Sequence, residues 1–241
     1  MTLRSYAIGD IHGQIDLLHA AHARIAADRA RTGDAEAPVI HLGDLVDRGP
    51  DSRGVVDLLL KGQLSGQNWV VLKGNHDRMF SYHLEGRADP ALRVGLDYLN
   101  PRIGGAATLE SYGLPPEATP AQARAAVPAG HRAFLEGLPS YHLRGGVLFV
   151  HAGIRPGVAL NDQTETDMAW IRAPFLEFTG PHPWLVVHGH THRPAAEHCG
   201  NRVNIDSSAA YGGPLTAVVI EGREVFTLTD RGRERLVPRA D

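Results

Sequence analysis

The sequence predicts a layered α/β domain, and two observations support that prediction. Short apolar runs of strand character alternate with helical segments, and five of these runs end in a turn that places Asp, Asn or His beside glycine. In such a domain the loops that follow the strands meet at one edge of the sheet, where ligands bind. We therefore expect the five turns to form one site.

The first part of the chain repeats a strand, a polar turn and a helix. The predicted strands cover Tyr6–Ile8, Val39–Leu42 and Trp69–Leu72. The predicted helices run from Ile15 to about Arg31 and from Ser52 to Leu60, each with apolar residues at helical spacing. This alternation predicts sheet strands joined by helical crossovers.

The pattern loosens between residues 78 and 146, where seven prolines separate short helical pieces. We predict that this segment is a helical insertion covering one side of the site and selecting the substrate. Strands follow at Val147–Val150 and Trp184–Val187, and an antiparallel, β-rich part follows His192. Its predicted strands are Arg202–Ile205, Leu215–Ile220 and Val225–Leu228, with a hairpin at Glu221-Gly222-Arg223. One domain is predicted over residues 1–230, followed by a charged tail over 231–241.

Five motifs follow the strands in order. They are Gly9-Asp10-Ile11-His12-Gly13, Gly43-Asp44-Leu45-Val46-Asp47-Arg48-Gly49, Gly74-Asn75-His76-Asp77, His151-Ala152-Gly153 and His188-Gly189-His190-Thr191-His192. Any one of them alone is ordinary turn chemistry. Five in succession predict a metal site, because carboxylate, imidazole and amide groups together suit manganese, iron or zinc. A structural zinc site is disfavoured, since these motifs contain no cysteine.

In order and composition, these motifs resemble those of the calcineurin-like metallophosphoesterases, and within them the bacterial phosphoprotein (Ser/Thr) phosphatase family. The resemblance runs from about Ser5 to about Leu228 and includes the stretch from Gly104 to Gly113. It implies a four-layer α-β-β-α sandwich, in which two mixed sheets are flanked by helices, with a small helical insertion.

The resemblance also implies two divalent metal ions, manganese foremost, with iron or zinc as alternatives. Asp10 and His12 would bind the first ion and Asp44 would bridge both. Asn75, His151 and His190 would bind the second ion. A carboxylate can bridge ions about 3.5–4 Å apart, and a hydroxide held between them would attack phosphorus directly.

The catalytic residues implied by the resemblance are His76, Asp47, Arg48 and Arg172. His76 would protonate the leaving oxygen, and Asp47 would hold the other ring nitrogen of His76. Arg48 and Arg172 would bind the phosphate oxygens, with Asn75 also facing the substrate. A surface salt bridge is the alternative role for Arg172.

The final motif departs from the family, which commonly has proline where this chain has His192. In the wider superfamily a second histidine two residues after the first binds the first metal. On a strand-like backbone residues i and i+2 point the same way. We therefore predict that His192 is a further ligand beside Asp10 and His12, with a solvent-facing histidine as the alternative.

Four neighbouring residues are predicted to play supporting roles. His41 is expected to be a packed core residue, and His188 an outer support for the metal ligands. Asp206 is either a similar support or a turn cap, and Asp77 is expected to close its turn.

Composition excludes some classes of protein. Lys and Arg total 24 against 27 for Asp and Glu, so a formal charge of −3 argues against nucleic-acid or membrane-surface partners. The single cysteine, Cys199, and the absence of an 18-residue apolar run predict a cytoplasmic protein without disulfide, signal peptide or membrane span. The sequence does not indicate an oligomeric state.

The leading functional prediction is a metal-dependent phosphomonoesterase acting on phosphoprotein at Ser or Thr, with phosphotyrosine and small aryl phosphates also accepted. A dinucleoside tetraphosphate hydrolase with the same motifs is the first alternative. A phosphodiesterase or nuclease is weaker, since the net charge offers no basic track. A non-catalytic, phosphate-binding scaffold is the alternative from another class.

Overall fold

Two mixed β-sheets form the centre of the computed structural model, which describes residues 3–239. The strands are β1 (Arg4–Ile8), β2 (Val39–His41), β3 (Trp69–Val71), β4 (Tyr141–Arg144), β5 (Val147–Val150), β6 (Leu185–His188), β7 (Glu197–His198), β8 (Arg202–Asn204), β9 (Ala217–Glu221), β10 (Glu224–Thr229) and β11 (Gly232–Arg235). The first sheet has the order β11-β10-β9-β1-β2-β3, and the second β4-β5-β6-β8-β7.

The helices lie in the connections between these strands. They are α1 (Ile15–Thr32), α2 (Ser52–Leu64), α3 (Asn75–Leu84), α4 (Gly105–Ser111), α5 (Pro120–Ala126), α6 (Ala129–Glu136) and α7 (Glu165–Trp170), with 3-10 turns at Leu160–Asp162 and Ala209–Tyr211. Their termini show ordinary capping chemistry. The Asp51 side chain accepts a hydrogen bond from Gly54 N at 2.7 Å, and Gly33 ends α1 with a φ of 68°. No helix within residues 3–239 has the length and apolarity needed to cross a bilayer.

Parallel strands occupy the middle of each sheet. In the first sheet β1, β2 and β3 are parallel and β9 to β11 are antiparallel. In the second sheet β5, β6 and β8 are parallel, and the edge strands β4 and β7 are antiparallel. The parallel strands of each sheet therefore end on a common side, which is where the predicted motifs follow them.

Side chains alternate between the two faces of each strand, so the buried residues form three packed layers. Ala7 and Ile40 of the first sheet pack against Phe149 and Val187 of the second, so these residues fill the space between the sheets. Tyr6 and its neighbours on the opposite face pack against the helices. The second sheet is covered by a thinner layer, in which Met168 and Phe175 pack on Leu148, Val150 and Val186. The predicted four-layer α-β-β-α sandwich is confirmed.

Two predicted segments differ from the structure. The segment 78–146 is helical only up to Glu136, and its last part forms β4. Its buried residues share one core with α1 and the first sheet, so it extends the helical layer and is not a separate cap. In the predicted tail, 231–241, residues Gly232–Arg235 pair with β10, and Arg233 Nε donates to Asp28 at 2.7 Å. Charged residues suit an exposed edge strand, which is why the sequence resembles a tail. The ends of the predicted domain and tail, residues 1–2 and 240–241, lie outside the described residues.

Candidate dinuclear metal and phosphate site

The five predicted turns meet at one end of the two sheets, where backbone hydrogen bonds connect them. His12 N donates to the Asp44 carbonyl at 2.7 Å, and Gly189 N donates to the His151 carbonyl at 2.8 Å. His76 N donates to Asp44 Oδ1 at 2.9 Å. The side chains that follow different strands are therefore held in one arrangement by the backbone itself.

These turns contain unusual backbone conformations. His12, Asp44, Asp47, Arg48 and His190 all have φ between 46° and 73°, a left-handed region that side chains other than glycine rarely adopt. Each such residue costs roughly 1–3 kcal/mol, and such conformations cluster at functional sites because the surrounding structure maintains them. In the part of the chain that the structure describes, the only other residue of this kind besides glycine is Ser208.

Two glycines make room for the carboxylates of the site. A Cβ atom at Gly74 would lie 2.1 Å from Asp44 Oδ1, and one at Gly189 would lie 1.9 Å from Asp10 Oδ1. These distances are far below contact, so any larger residue would displace the carboxylates. The glycines of these motifs are therefore required by the close approach of neighbouring turns.

Asp44 lies at the centre of two groups of possible metal ligands. Ligand atoms of Asp44, His12 and His76 lie within 4.8 Å of one another, and so do those of Asp44, His151 and His190. The Asn75 Oδ1 atom lies 3.0 Å from His151 Nε2 and 2.8 Å from His190 Nδ1. Asp10, by contrast, is outside both groups, and its carboxylate accepts from His190 N at 3.0 Å.

The tautomer of His151 leaves a nitrogen lone pair facing two oxygen acceptors. His151 Nδ1 donates to the Leu42 carbonyl at 2.9 Å, which leaves Nε2 without hydrogen. That nitrogen nevertheless lies 3.0 Å from Asn75 Oδ1 and 3.4 Å from Asp44 Oδ1. Acceptors at such distances repel one another unless a cation lies between them. His190 Nε2 is also buried, and it has no hydrogen-bond partner among residues 3–239. The residues present thus fit a bound cation.

The pKa shifts of the carboxylates and imidazoles also favour a bound cation. Burial raises the pKa of Asp44, but His151, His76 and His12 outweigh it and lower that pKa below its usual range. Burial, followed by the charges of Asp206 and Asp44, raises the pKa of Asp10 well above its usual range. Burial also lowers the pKa of His12, which favours the neutral imidazole that binds metals. Divalent cations would offset the excess of buried carboxylates.

His76 and Asp47 form a buried pair at the side of the metal ligands. His76 Nδ1 donates to Asp47 Oδ2 at 2.7 Å, and its Nε2 faces the cavity. The other carboxylate oxygen, Oδ1, accepts from the hydroxyls of Tyr98 and, at 2.7 Å, of Thr108. Sequence reasoning missed both residues. Thr108 belongs to the stretch from Gly104 to Gly113, which is a usable signal, whereas nothing in the sequence distinguishes Tyr98.

Arg48 and Arg172 line the same cavity, whose volume is about 200 Å³. Arg48 donates to His12 Nε2 at 2.8 Å and to His76 Nε2 at 2.9 Å. Arg172 is exposed at the cavity wall, and within residues 3–239 no carboxylate lies within 4.0 Å of it. The salt bridge considered as its alternative role is therefore absent from the described structure.

The model of the calcineurin-like phosphoesterase family matches residues 3–220. The chain belongs to this family. A calcineurin-like fold binds a dinuclear centre of divalent metals, which agrees with the two ligand groups that share Asp44.

Relatives and solved structures differ in their names. A protein of Halalkalibacterium halodurans named bis(5′-nucleosyl)-tetraphosphatase (asymmetrical) is 26% identical over 247 aligned positions, which cover 93% of each chain. A protein of the same name from Anoxybacillus flavithermus is 28% identical and covers 88% of each. A structure described as a candidate diadenosine tetraphosphatase has a TM-score of 0.65, with 23% identity and coverage of 94% and 93%. The cold-active protein-tyrosine phosphatase of a psychrophilic Shewanella also has a TM-score of 0.65, with 17% identity and coverage of 98% and 81%. At these identities the two structures establish the fold alone.

His192 lies on the cavity of this phosphoesterase in a position that differs from the expected one. The strand-like backbone assumed for its motif is wrong, because β6 ends at His188 and His190 has a φ of 64°. The His192 side chain is exposed, and its ring centre lies 5.2 Å from that of Tyr211. It also lies outside the two described groups of ligand atoms, so its role as a metal ligand stays a prediction.

The supporting residues have mixed outcomes in the phosphoesterase fold. Asp77 holds its turn as predicted, accepting from Gly74 N at 2.8 Å and from Leu45 N at 2.9 Å. His41 is fully buried, as predicted. His188 contacts the Gly189 carbonyl and the Phe175 ring, so it supports the backbone of the motif rather than another imidazole.

Asp206 has one of the two roles that the sequence left open, that of a turn cap. Its Oδ1 accepts from Ser208 N at 3.1 Å, which is the hydrogen bond of a turn cap. It also lines the phosphoesterase cavity, and its charge raises the pKa of Asp10.

Proposed function

We propose that this phosphoesterase hydrolyses bis(5′-nucleosyl) tetraphosphates asymmetrically, using two divalent metal ions with manganese foremost. The observation that carries this proposal is the similarity, along 93% of both chains, to a protein named for that activity. Phosphoprotein, the leading substrate in the sequence-based predictions, becomes the second candidate. The reason is that the similar structure named as a protein-tyrosine phosphatase supports only a shared fold.

The proposed metal ligands are those that converge around Asp44. His12 and Asp10 would hold one ion, Asn75, His151 and His190 the other, and Asp44 both. His192 is proposed as an additional ligand of the first ion. When bound by these residues, two divalent ions would supply Lewis acidity that polarises the phosphoryl group and lowers the pKa of the attacking water.

The chain's own residues are proposed to bind the phosphate and transfer a proton. Arg48 and Arg172 offset the charge that develops on the phosphoryl oxygens, with Asn75 beside them. His76 Nε2 accepts from Arg48 in the structure, so it must first take up a proton while Arg48 turns to the phosphoryl oxygens. As oxygen adds to phosphorus and the phosphoanhydride bond breaks, His76 Nε2 then gives that proton to the leaving oxygen. Asp47 stabilises the protonated ring through Nδ1, and Tyr98 and Thr108 orient Asp47.

The second candidate, a phosphoprotein phosphatase, is favoured by the motif from Gly43 to Gly49 and the stretch from Gly104 to Gly113. The same metal and arginine groups would serve a phosphomonoester. The cytoplasmic location expected from the single cysteine also stays a prediction.

A substrate panel with manganese tests the proposal. It compares diadenosine tetraphosphate with phosphoserine, phosphothreonine and phosphotyrosine peptides and with a phosphodiester. We expect kcat/KM to be at least about tenfold higher for diadenosine tetraphosphate, with ATP and AMP as products. A preference for phosphopeptides would establish the second candidate. Binding of phosphate without turnover of any compound would indicate a scaffold.

A further inference from the structure

The cavity of about 200 Å³ that Arg48 and Arg172 line is the phosphate cavity of the proposed mechanism. A second cavity of about 680 Å³, the groove, lies beside it. One side of this groove is formed by residues 99–107, which lead into and begin α4, and the other side by Ala210 and Tyr211. Arg48, Ala210 and Tyr211 line both cavities. The groove is therefore a direct continuation of the phosphate cavity.

The volumes of the two cavities indicate which part of the substrate each one can hold. Cavities that bind organic ligands are typically about 300–1,000 Å³. The phosphate cavity, at about 200 Å³, is below that range, while the groove, at about 680 Å³, is within it. A phosphoryl group fits the first cavity, but a nucleoside attached to it must extend outside, and the groove is the adjoining space.

The lining of the groove suits a flat base and an anionic chain. Tyr211 is 59% exposed, and the Arg48 guanidinium lies 5.3 Å from its ring centre. Leu99 and Ala107 provide apolar surface, and Arg102 is exposed at the side. No acidic residue is among the described residues that line it, so a polyphosphate meets no carboxylate there. Bases stack on aromatic rings, and arginine binds phosphate through two donors.

We propose that this groove is the subsite for the leaving fragment of a bis-nucleosyl polyphosphate: Tyr211 and Leu99 contact the nucleoside, and Arg102 contacts the phosphates attached to it. This inference rests on the proposed function and names the part of the chain that selects the substrate.

The position of Arg48 determines which fragment enters the groove. Its Nη2 atom lies 2.9 Å from His76 Nε2, and its guanidinium also faces Tyr211. One side chain thus lies between the proton donor and the groove. Since His76 protonates the oxygen that leaves, the fragment carrying that oxygen is the one next to the groove. The phosphoryl group of the other fragment, which contains the attacked phosphorus, remains in the phosphate cavity.

Two substitutions in the groove, at residues that do not line the phosphate cavity, test the subsite. Arg102→Ala removes the cation, and Ala107→Leu fills the groove with a good helix former. Each has a matched control on the exposed surface, Arg93→Ala and Ala125→Leu. Kinetics are measured with diadenosine tetraphosphate, inorganic tripolyphosphate, a phosphoserine peptide and p-nitrophenyl phosphate, and melting temperatures verify folding.

We expect each groove variant to lower kcat/KM for diadenosine tetraphosphate by about tenfold, mainly through KM. We expect its kcat/KM for p-nitrophenyl phosphate to stay within about twofold, and the control variants to match the wild type. The wild type should cleave diadenosine tetraphosphate in preference to tripolyphosphate, which has no nucleoside.

The outcomes separate this inference from the proposed function. If the wild type cleaves p-nitrophenyl phosphate but not diadenosine tetraphosphate, both are wrong. If it cleaves diadenosine tetraphosphate and the groove variants match their controls, only the subsite is wrong. Loss of turnover confined to a phosphopeptide would assign the groove to a peptide and overturn the nucleoside assignment.

Discussion

Two groups of buried or half-buried histidines lie close together in this chain and differ in what surrounds them. His12, His76 and His190 line the phosphate cavity, and His151 is buried beside them. His22 of α1 and His41 of β2, by contrast, meet at 2.9 Å in the helical layer. His41 precedes Asp44 by three residues, yet the pleat of β2 turns it toward α1 and the Trp69 ring.

Burial lowers the pKa of histidines in both groups, including His12 and His41. A lowered histidine pKa therefore reports burial and does not by itself identify a site. The difference lies in the other partners. The first group surrounds Asp44 and Asn75 and opens on a cavity, while the partners of the second are a backbone carbonyl and an indole. Converging carboxylates beside a cavity distinguish the metal site from the packed pair.

The largest effect is expected for Asp44→Asn, because Asp44 belongs to both groups of ligand atoms. Losing one anionic ligand to both ions should reduce turnover by about 10³-fold or more and lower the metal content. Elemental analysis after manganese loading measures the ions, with exposed Asp16→Asn as the control. One ion or fewer per chain in the wild type would contradict a dinuclear centre.

The next largest effect is expected for His76→Asn. This change should leave metal binding intact and lower turnover of alkyl phosphates by roughly 10²–10⁴-fold, since it removes the proton donor. The loss should be smaller for p-nitrophenyl phosphate, whose leaving group needs little protonation. His41→Asn serves as the comparison from the packed pair and should leave kcat unchanged. Equal losses on both substrates would exclude His76 as the acid.

Arg172→Ala should cut turnover and weaken inhibition by phosphate by about tenfold to a hundredfold, with little change in melting temperature. The reason is the loss of a charge-assisted hydrogen bond worth about 1.5–3 kcal/mol. Steady-state kinetics and phosphate inhibition constants measure the effect, with exposed Arg223→Ala as the control. Unchanged kinetics would leave Arg48 as the single phosphate-binding arginine.

His192→Ala should weaken retention of one metal by about tenfold while leaving the ion of Asn75, His151 and His190 in place. Competition with a chelator, followed by metal analysis, distinguishes the two ions. His198→Ala removes a buried histidine that does not line the cavity and serves as the control. Parallel loss of both ions, or of neither, would assign His192 to the surface.

The smallest effect on activity is expected at the packed pair. The pKa of His22 is lowered to about 4 and that of His41 to about 3, in both cases mainly by burial. Below a pH of about 6.5, the two histidines therefore bind protons more readily in the unfolded chain than in the folded chain. The resulting stability is complete above a pH of about 6.5 and decreases as the pH falls toward 4 and then 3.

His22→Leu should reduce the decrease of the unfolding free energy at acidic pH by roughly 1–3 kcal/mol and leave turnover at neutral pH unchanged. Urea unfolding at a series of pH values measures it, with exposed His19→Leu as the control. An unfolding free energy with the same pH dependence in both variants would show that the pair does not resist protonation.

Local chemistry explains why so much of the site could be read from the sequence. Asp10, Asp44, Asn75, His151 and His190 each lie one to four residues after the end of a strand. A strand pattern and the residues after it are contiguous in the chain, so the position of each side chain at the sheet edge follows from a few neighbouring residues. The same holds for the hairpin after β9 and for the turn that Asp77 closes.

Only the tertiary structure decided the features that depend on distant parts of the chain. Tyr98 reaches Asp47 across 51 residues and Arg233 reaches Asp28 across 205, and neither pairing has a local pattern. The left-handed backbone at His190 overrode the strand expected there, because turns from both sheets meet at that point. The groove beside Tyr211 likewise exists only where residues 99–107 fold back against the loop after β8. Sequence motifs determined which groups carry the chemistry, and long-range packing determined how they are held and what lies beside them.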